Sequence, residues 1–238
     1  MSIELSENME QETTTGSTVT TTTSVKYDNM ADTVVKMKMA FTNAQLPTVL
    51  PSLIPVGYTA ESLQADYAEV EALETLMQKQ RTETQEQIIE TKKFDDSRIA
   101  IHQIYVKDRG LCRILFKNDV QAQVELDLRG RVSEAYGNWL KEVKGFYTRI
   151  SNSERLKAEV AKISMKPADL EAQLTAIAVL ETIKNNQKKE TGEAQAATEA
   201  RDLKFDQVYA KYTTLVKYSK ILLGPDQILE ALGIVVRR

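Results

Sequence analysis

The sequence predicts an all-α protein, a tandem-duplicated bundle of long helices, coiled-coil-like in part, with a threonine-rich arm at its N-terminus. Three observations carry this prediction. Helix breakers are scarce, 9 glycines and 5 prolines in 238 residues, while Ala, Glu, Gln, Lys and Leu are plentiful. Sliding the chain by 107 residues lays 61–119 on 168–226 without a gap, and 15 of the 59 positions are identical. Apolar residues also keep a seven-residue rhythm at both ends of the second matched segment, at Leu180 and then at Val208, Leu215 and Leu222.

The arm comes first, at 1–27. Residues 13–24 are almost entirely threonine, with Gly16, Ser17, Val19 and Ser24. Such a tract has little to bury and is expected to be disordered in the isolated chain. Its β-branched side chains also suit an extended strand added to a partner. Two repeat units follow, at 28–132 and 133–238.

Each unit opens with a helix, at 29–44 and at 133–151. The second of these has Trp139, Leu140, Val143, Phe146, Tyr147 and Ile150 at helical spacing. Aligning the two requires a slip of two residues in the offset, which sets Val35 on Leu140, Lys36 on Lys141 and Phe41 on Phe146. A connecting segment follows. In the second half it is a helix at 154–163 with Ser153 as N-cap; in the first half Pro47, Pro51 and Pro55 distort it.

The long helices come next, at 60–117 and 168–223. Thr59 caps one, and Pro167 stands in the first turn of the other, where a missing N–H costs nothing. At 1.5 Å per residue each is ~80 Å long. Gly224 and Pro225 end the second, before a short amphipathic turn at 228–233; the first-half counterpart lies around 120–130 and ends at Gly130.

Matched pairs include Leu63/Leu170, Leu73/Leu180, Glu83/Glu190, Thr84/Thr191, Tyr105/Tyr212 and Ile114/Ile221. Threonines, glutamates and tyrosines recurring at one offset favour duplication over shared composition. Duplication in turn predicts equivalent environments for Leu73 and Leu180, and for Tyr105 and Tyr212. The middle of each long helix is polar, with Gln80 and Gln87 in one and Gln187, Ala194 and Arg201 in the other occupying the heptad phase. Two arrangements fit such a waist. Unbroken antiparallel helices would meet there and pair their charges; a break near 82–87 and 189–194 would instead give a solvated hairpin tip. Gly192 favours the break but its partner Gln85 does not, so unbroken helices are preferred.

Composition narrows the function classes. The formal net charge of −3 gives no general attraction to nucleic acid or to anionic membrane. One cysteine, Cys112, makes no internal disulfide. The start lacks the basic and apolar regions of a signal peptide, and no apolar run approaches the ~20 residues of a membrane span, so cytoplasmic residence is expected, with export by a signal-independent route as the alternative. His102 is the single histidine; it is read as facing the same way as Tyr105 and aligns with Tyr209, and no second metal ligand stands at suitable spacing. Cys112 aligns with Ser219, which marks a small-residue packing position. Neither a Glu-x-x-His pair nor a phosphate-cradling glycine loop is present. Lys211, Lys217 and Lys220 beside Tyr209, Tyr212 and Tyr218 are read as core tyrosines ringed by snorkelling lysines, and Trp139 as a core anchor.

The run from Lys189 to Asp202 and the ending from Leu222 to Ile234 resemble a recurring unit in a family of bacterial duplicated helical proteins. The resemblance covers about half of the chain and implies the long-helix architecture, without an activity. The expected function is that of a non-enzymatic structural or scaffolding protein that self-associates through its long helices; the alternative is a soluble helical module recognising a protein partner. No catalytic, cofactor-binding or metal-binding residue is expected, and the partners expected are further copies of the chain or another protein, not nucleic acid or membrane.

Overall fold

Few breakers and strong caps give long helices, and the computed structural model bears this out over the residues it describes, 30–224 together with 229, 230 and 232. The threonine-rich arm and most of the turn at 228–233 lie outside them. The α-helices are α1 (Met30–Asn43), α2 (Leu50–Leu53), α3 (Ala60–Leu115), α4 (Val120–Glu125), α5 (Tyr136–Asn152), α6 (Glu154–Ala161) and α7 (Pro167–Leu222). Among the described residues there is no strand, and no helix is long and apolar enough to cross a membrane.

The ends follow capping chemistry. Thr59 and Ser62 bond reciprocally at the start of α3: the Ser62 N–H donates to Thr59 Oγ1 at 3.1 Å and the Thr59 N–H to Ser62 Oγ at 2.9 Å. Pro167 opens α7, and Asp169 Oδ2 accepts from the Lys166 N–H at 2.9 Å. Ser153 caps α6 through the Leu156 N–H, and Asp119 caps α4 through the Ala122 N–H. The three prolines shorten the first-half connector to the single turn α2 and a 3₁₀ turn at Ile54–Val56. Gly57, at φ +92°, ends that turn in a conformation that any Cβ would strain.

Both long helices are unbroken. A glycine in a helix interior costs only ~1 kcal/mol, and Gly192 does not open α7, which runs for 56 residues. α5 begins at Tyr136 rather than 133: Ala135 is extended, and the residues before it are tied down by side chains. Glu142 accepts the Ser133 N–H at 3.1 Å and also its hydroxyl, while Arg98 Nη2 donates to the Glu134 carbonyl at 2.6 Å.

The chain forms two compact units. One takes the described residues up to Thr75 and those from Leu203 onward; the other is Leu76–Asp202. Each draws on both sequence repeats, because α3 and α7 contribute to both.

In the first unit the start of α3 runs antiparallel to the end of α7. Lys211 Nζ pairs with Asp66 at 2.8 Å and Glu69 at 2.7 Å, and the Tyr58 and Tyr218 rings meet edge to face. Val34, Met37, Phe41, Leu63, Val70, Leu73, Phe205, Val208 and Leu215 are buried there. In the second unit α5 and α6 pack with the rest of α3 and α7 around Tyr105, Trp139, Phe146, Tyr147, Ile150 and Leu180. Tyr105 meets Phe146 edge to face at 5.4 Å, the arrangement favoured by ring quadrupoles.

The repeat is visible in burial. Leu63/Leu170, Val70/Ile177, Leu73/Leu180, Ile101/Val208 and Cys112/Ser219 are buried in both members of each pair. The first helices correspond at an offset of 106, a slip of one residue rather than two. At 106, Met37/Val143, Ala40/Phe146, Phe41/Tyr147 and Ala44/Ile150 are all buried pairs. Lys38 then becomes the counterpart of Lys144, and each makes the same ion pair, with Glu74 at 2.6 Å and with Glu181 at 2.9 Å. The pairing of Val35 with Leu140 is thereby replaced. Tyr105 and Tyr212 differ in part: Tyr105 is buried and meets Phe146, whose counterpart at this offset is the smaller Ala40, while Tyr212 is half-buried.

The polar waist lies in the second unit. The ion pairs Lys92–Asp96 and Lys93–Glu90 on α3 and Lys189–Glu193 on α7 each run along a single helix. An amide–hydroxyl bond and a cation over an aromatic ring are among the contacts across the waist. Gln187 Nε2 donates to Thr91 Oγ1 at 3.3 Å, and the Lys184 ammonium lies 4.4 Å from the Phe94 ring centroid.

Candidate functional site

α3 in the second unit buries Phe94, Ile101, Tyr105 and Cys112. An amphipathic helix with that buried stripe should be polar on the rest of its surface. The opposite side does carry Lys92 and Asp96, but exposed apolar side chains flank them. Ile88, Ile89, Ile99 and Val106 are 61%, 52%, 54% and 46% exposed. Ile88, Ile99 and Val106 are separated by 11 and 7 residues, close to three and two helical turns, so they form one stripe away from the core.

The duplication supplies an internal control. At the 107-residue offset these positions correspond to Gln195, Asp206 and Thr213. The same place in the same helix type is therefore polar in the second repeat, and the fold does not require isoleucine or valine there. Single exposed apolar residues are commonplace, but an apolar stripe present in one repeat and polar in the other marks an interaction surface.

Beside the stripe is a groove of about 690 Å³, walled by Ile99, His102 and Val106 of α3, by 132–134, and by Trp139. The chain leading into the 132–134 wall is held by guanidinium groups on backbone carbonyls. Arg109 Nη2 donates to the carbonyls of Asp127 at 2.9 Å and Arg129 at 3.0 Å. Arg113 donates through Nε to Leu128 O at 2.6 Å and through Nη2 to Gly130 O at 2.5 Å. The clamp fastens a bend in which Asp127 and Gly130 both have positive φ. Arg98 also lies 5.3 Å from the Trp139 ring centroid. Sequence reasoning missed Arg109, which is buried. Arg109 and Arg113 stand one helical turn apart where the second repeat has Val216 and Lys220, and that contrast was the available signal.

The sequence-designated residues fall as follows. Trp139 is fully buried, as a core anchor should be, and its indole Nε1–H donates to His102 Nδ1 at 3.1 Å. A neutral His102 therefore carries its proton on Nε2. His102 does not face the core with Tyr105: it is exposed at the groove rim while Tyr105 is buried. Three residues advance a helix by about 300°, enough to carry the ring past the boundary of the core. Cys112 is buried, and burial pushes its thiol up to about 12, far from the range of a nucleophile.

The tyrosine reading is corrected. Tyr209 and Tyr218 are more than one-third exposed, and Tyr212 is half-buried. These rings line the surface of the first unit, and Lys211 is committed to its two carboxylates.

One acidic cluster arises in the waist. The carboxylates of Glu83, Glu86 and Glu190 lie within 4.8 Å of one another, and Glu190 Oε2 is buried without a hydrogen-bond partner. Lys189, 3.5 Å from Glu190, supplies partial counter-charge. Glu83 and Glu190 are the same position in the two repeats.

Comparison with protein families, curated proteins and solved structures finds no match to this chain.

Proposed function

We propose that this is a non-enzymatic structural protein that self-associates through the exposed face of α3. The stripe Ile88, Ile99 and Val106, replaced by Gln195, Asp206 and Thr213 in the equivalent repeat, carries the reading. Covering such a stripe gains roughly 25 cal/mol per Å² of apolar surface removed from water. A long helix presents its stripe over several turns, which suits lateral contact between copies. A reducing compartment suits the single unpaired Cys112, so the cytoplasm is the proposed location.

The groove beside Trp139 favours the alternative reading, a helical module that receives a different protein. Light scattering during size exclusion separates the two readings. The variant Ile88→Gln, Ile99→Asp, Val106→Thr carries residues that the fold already accepts at equivalent positions. Wild type is expected to associate with rising concentration, and the variant to remain monomeric with unchanged thermal stability. Wild type that stays monomeric throughout would overturn self-association and leave the module.

A further inference from the structure

We infer that the occupant of the α3 face is the same face of a second copy, packed antiparallel about a dyad near Phe94. The inference rests on the self-association reading and adds a register to it.

Its basis is a charge pattern. When the segment 88–100 is laid antiparallel on itself about Phe94, Ile89 meets Ile99, Glu90 meets Arg98, Lys92 meets Asp96 and Lys93 meets Asp95. Of these, Lys92 and Asp96 lie on the exposed face and carry the contact, whereas Glu90 and Arg98 stand one turn either side of buried Phe94 and are bound within the unit. The equivalent stretch of the second repeat, 195–207, has no isoleucine, and about its own centre it sets Glu199 on Leu203 and Ala200 on Asp202. The complementarity therefore belongs to the repeat that also carries the apolar stripe.

The structure places the needed groups on one exposed face. Ile88, Ile89 and Ile99 are exposed, and the side chains of Lys92 and Asp96, in contact with each other at 2.9 Å, are well exposed too. In the antiparallel pair the Ile99 side chain of one copy seats between Ile88 and Ile89 of the other. At the dyad, two lysines and two aspartates alternate in a ring, each charge keeping its partner on the same helix and gaining one across the contact. Alternating charges beside an apolar seam set partner, orientation and register in paired helices. A parallel arrangement would set Lys92 against Lys92 and Asp96 against Asp96, which like-charge repulsion disfavours.

Charge reversal at exposed sites tests the register without touching the core. In Lys92→Glu alone, two Glu–Asp contacts face each other; in Asp96→Lys alone, two Lys–Lys contacts do. Each single variant is expected to self-associate at least about tenfold more weakly than wild type. An equimolar mixture of the two restores both cross-contacts. The glutamate introduced in one copy then meets the lysine introduced in the other, while Asp96 of the first copy still meets Lys92 of the second. The mixture is expected to associate near the wild-type level. The double variant Lys92→Glu, Asp96→Lys should do so by itself. Sedimentation velocity of each single variant, the mixture and the double variant reads all four, with circular dichroism confirming unchanged helicity. Single variants that associate like wild type, or a mixture that fails to associate, would overturn the register. If the polar stripe variant still abolishes association in that case, self-association stands and only the antiparallel dyad falls. A wild type that never associates removes both.

Discussion

The Tyr147 hydroxyl donates to Asp108 Oδ2 at 2.9 Å from a fully buried ring, which makes Tyr147→Phe a clean perturbation of one polar contact in the core of the second unit. The change removes one oxygen and leaves the ring packing on Tyr105 and Phe146 in place. A hydrogen bond to a charged group contributes about 1.5–3 kcal/mol, so a loss of about 2 kcal/mol is expected at neutral pH. At about 2–4 °C per kcal/mol for a chain of this size, the melting temperature should fall by about 4–8 °C.

The loss should also depend on pH. Burial pushes the Asp108 carboxyl above the ordinary carboxylate range, and the Tyr147 bond pulls it partly back. A carboxyl raised in the folded state favours folding in its protonated form. Its contribution to stability is therefore lost as pH rises from the ordinary value through the raised one. Removing the hydroxyl raises Asp108 further, so the variant's deficit is full above that raised value. As the pH falls through the window and Asp108 protonates, the deficit shrinks toward the ~1 kcal/mol of a bond between neutral groups. Calorimetry of both proteins at about pH 7 and about pH 3.5 measures the difference, in which the other carboxylates cancel. An equal deficit at both pH values, or none at neutral pH, would refute the coupling of Tyr147 to an ionised Asp108.

Two further outcomes follow from buried groups. The Ser219 hydroxyl is buried without a partner where the other repeat has Cys112, so Ser219→Ala should raise stability by about 0.5–1 kcal/mol; a lower melting temperature would show that the hydroxyl is bonded. Cys112, buried with its thiol pushed up to about 12, should resist a disulfide reagent at about pH 8 in the folded protein and react once denaturant is added; prompt labelling of the native state would contradict its burial.

Local signals in the sequence specify the helix ends. The caps at Thr59, Ser153 and Pro167 act through neighbours within a few residues, and the long helices and the 107-residue match needed nothing more. What failed depended on which neighbour covers a given face. Tyr212 and Tyr105 are identical in the repeat, but Phe146, which packs on Tyr105, has the much smaller Ala40 as its counterpart, and the two tyrosines differ in burial. His102 stands one helical turn from the core stripe and lies outside it. Val35 and Leu140 matched by chemistry, but the ion pairs of Lys38 and Lys144 decide the register, and their acidic partners lie on another helix. The α3 stripe was present in the sequence as Ile88, Ile99 and Val106, yet spacing alone does not tell an exposed apolar face from a buried one. Accessibility separated them.

The clamp on the bend at 127–130 has a consequence for acid conditions. Arg98, Arg109 and Arg113 all donate to backbone carbonyls, so neither partner in these contacts gains or loses a proton over the range in which proteins fold. The pairs of Arg155 with Asp119 and Glu125, and of Lys144 with Glu181, end in carboxylates and dissolve when those protonate. Acidification therefore loosens the helix-to-helix ties of the second unit while the bend at 127–130 stays fastened. On the wall beside Trp139 the two kinds of contact stand side by side: Ser133 rests on the Glu142 carboxylate, whereas the neighbouring Glu134 carbonyl is held by Arg98.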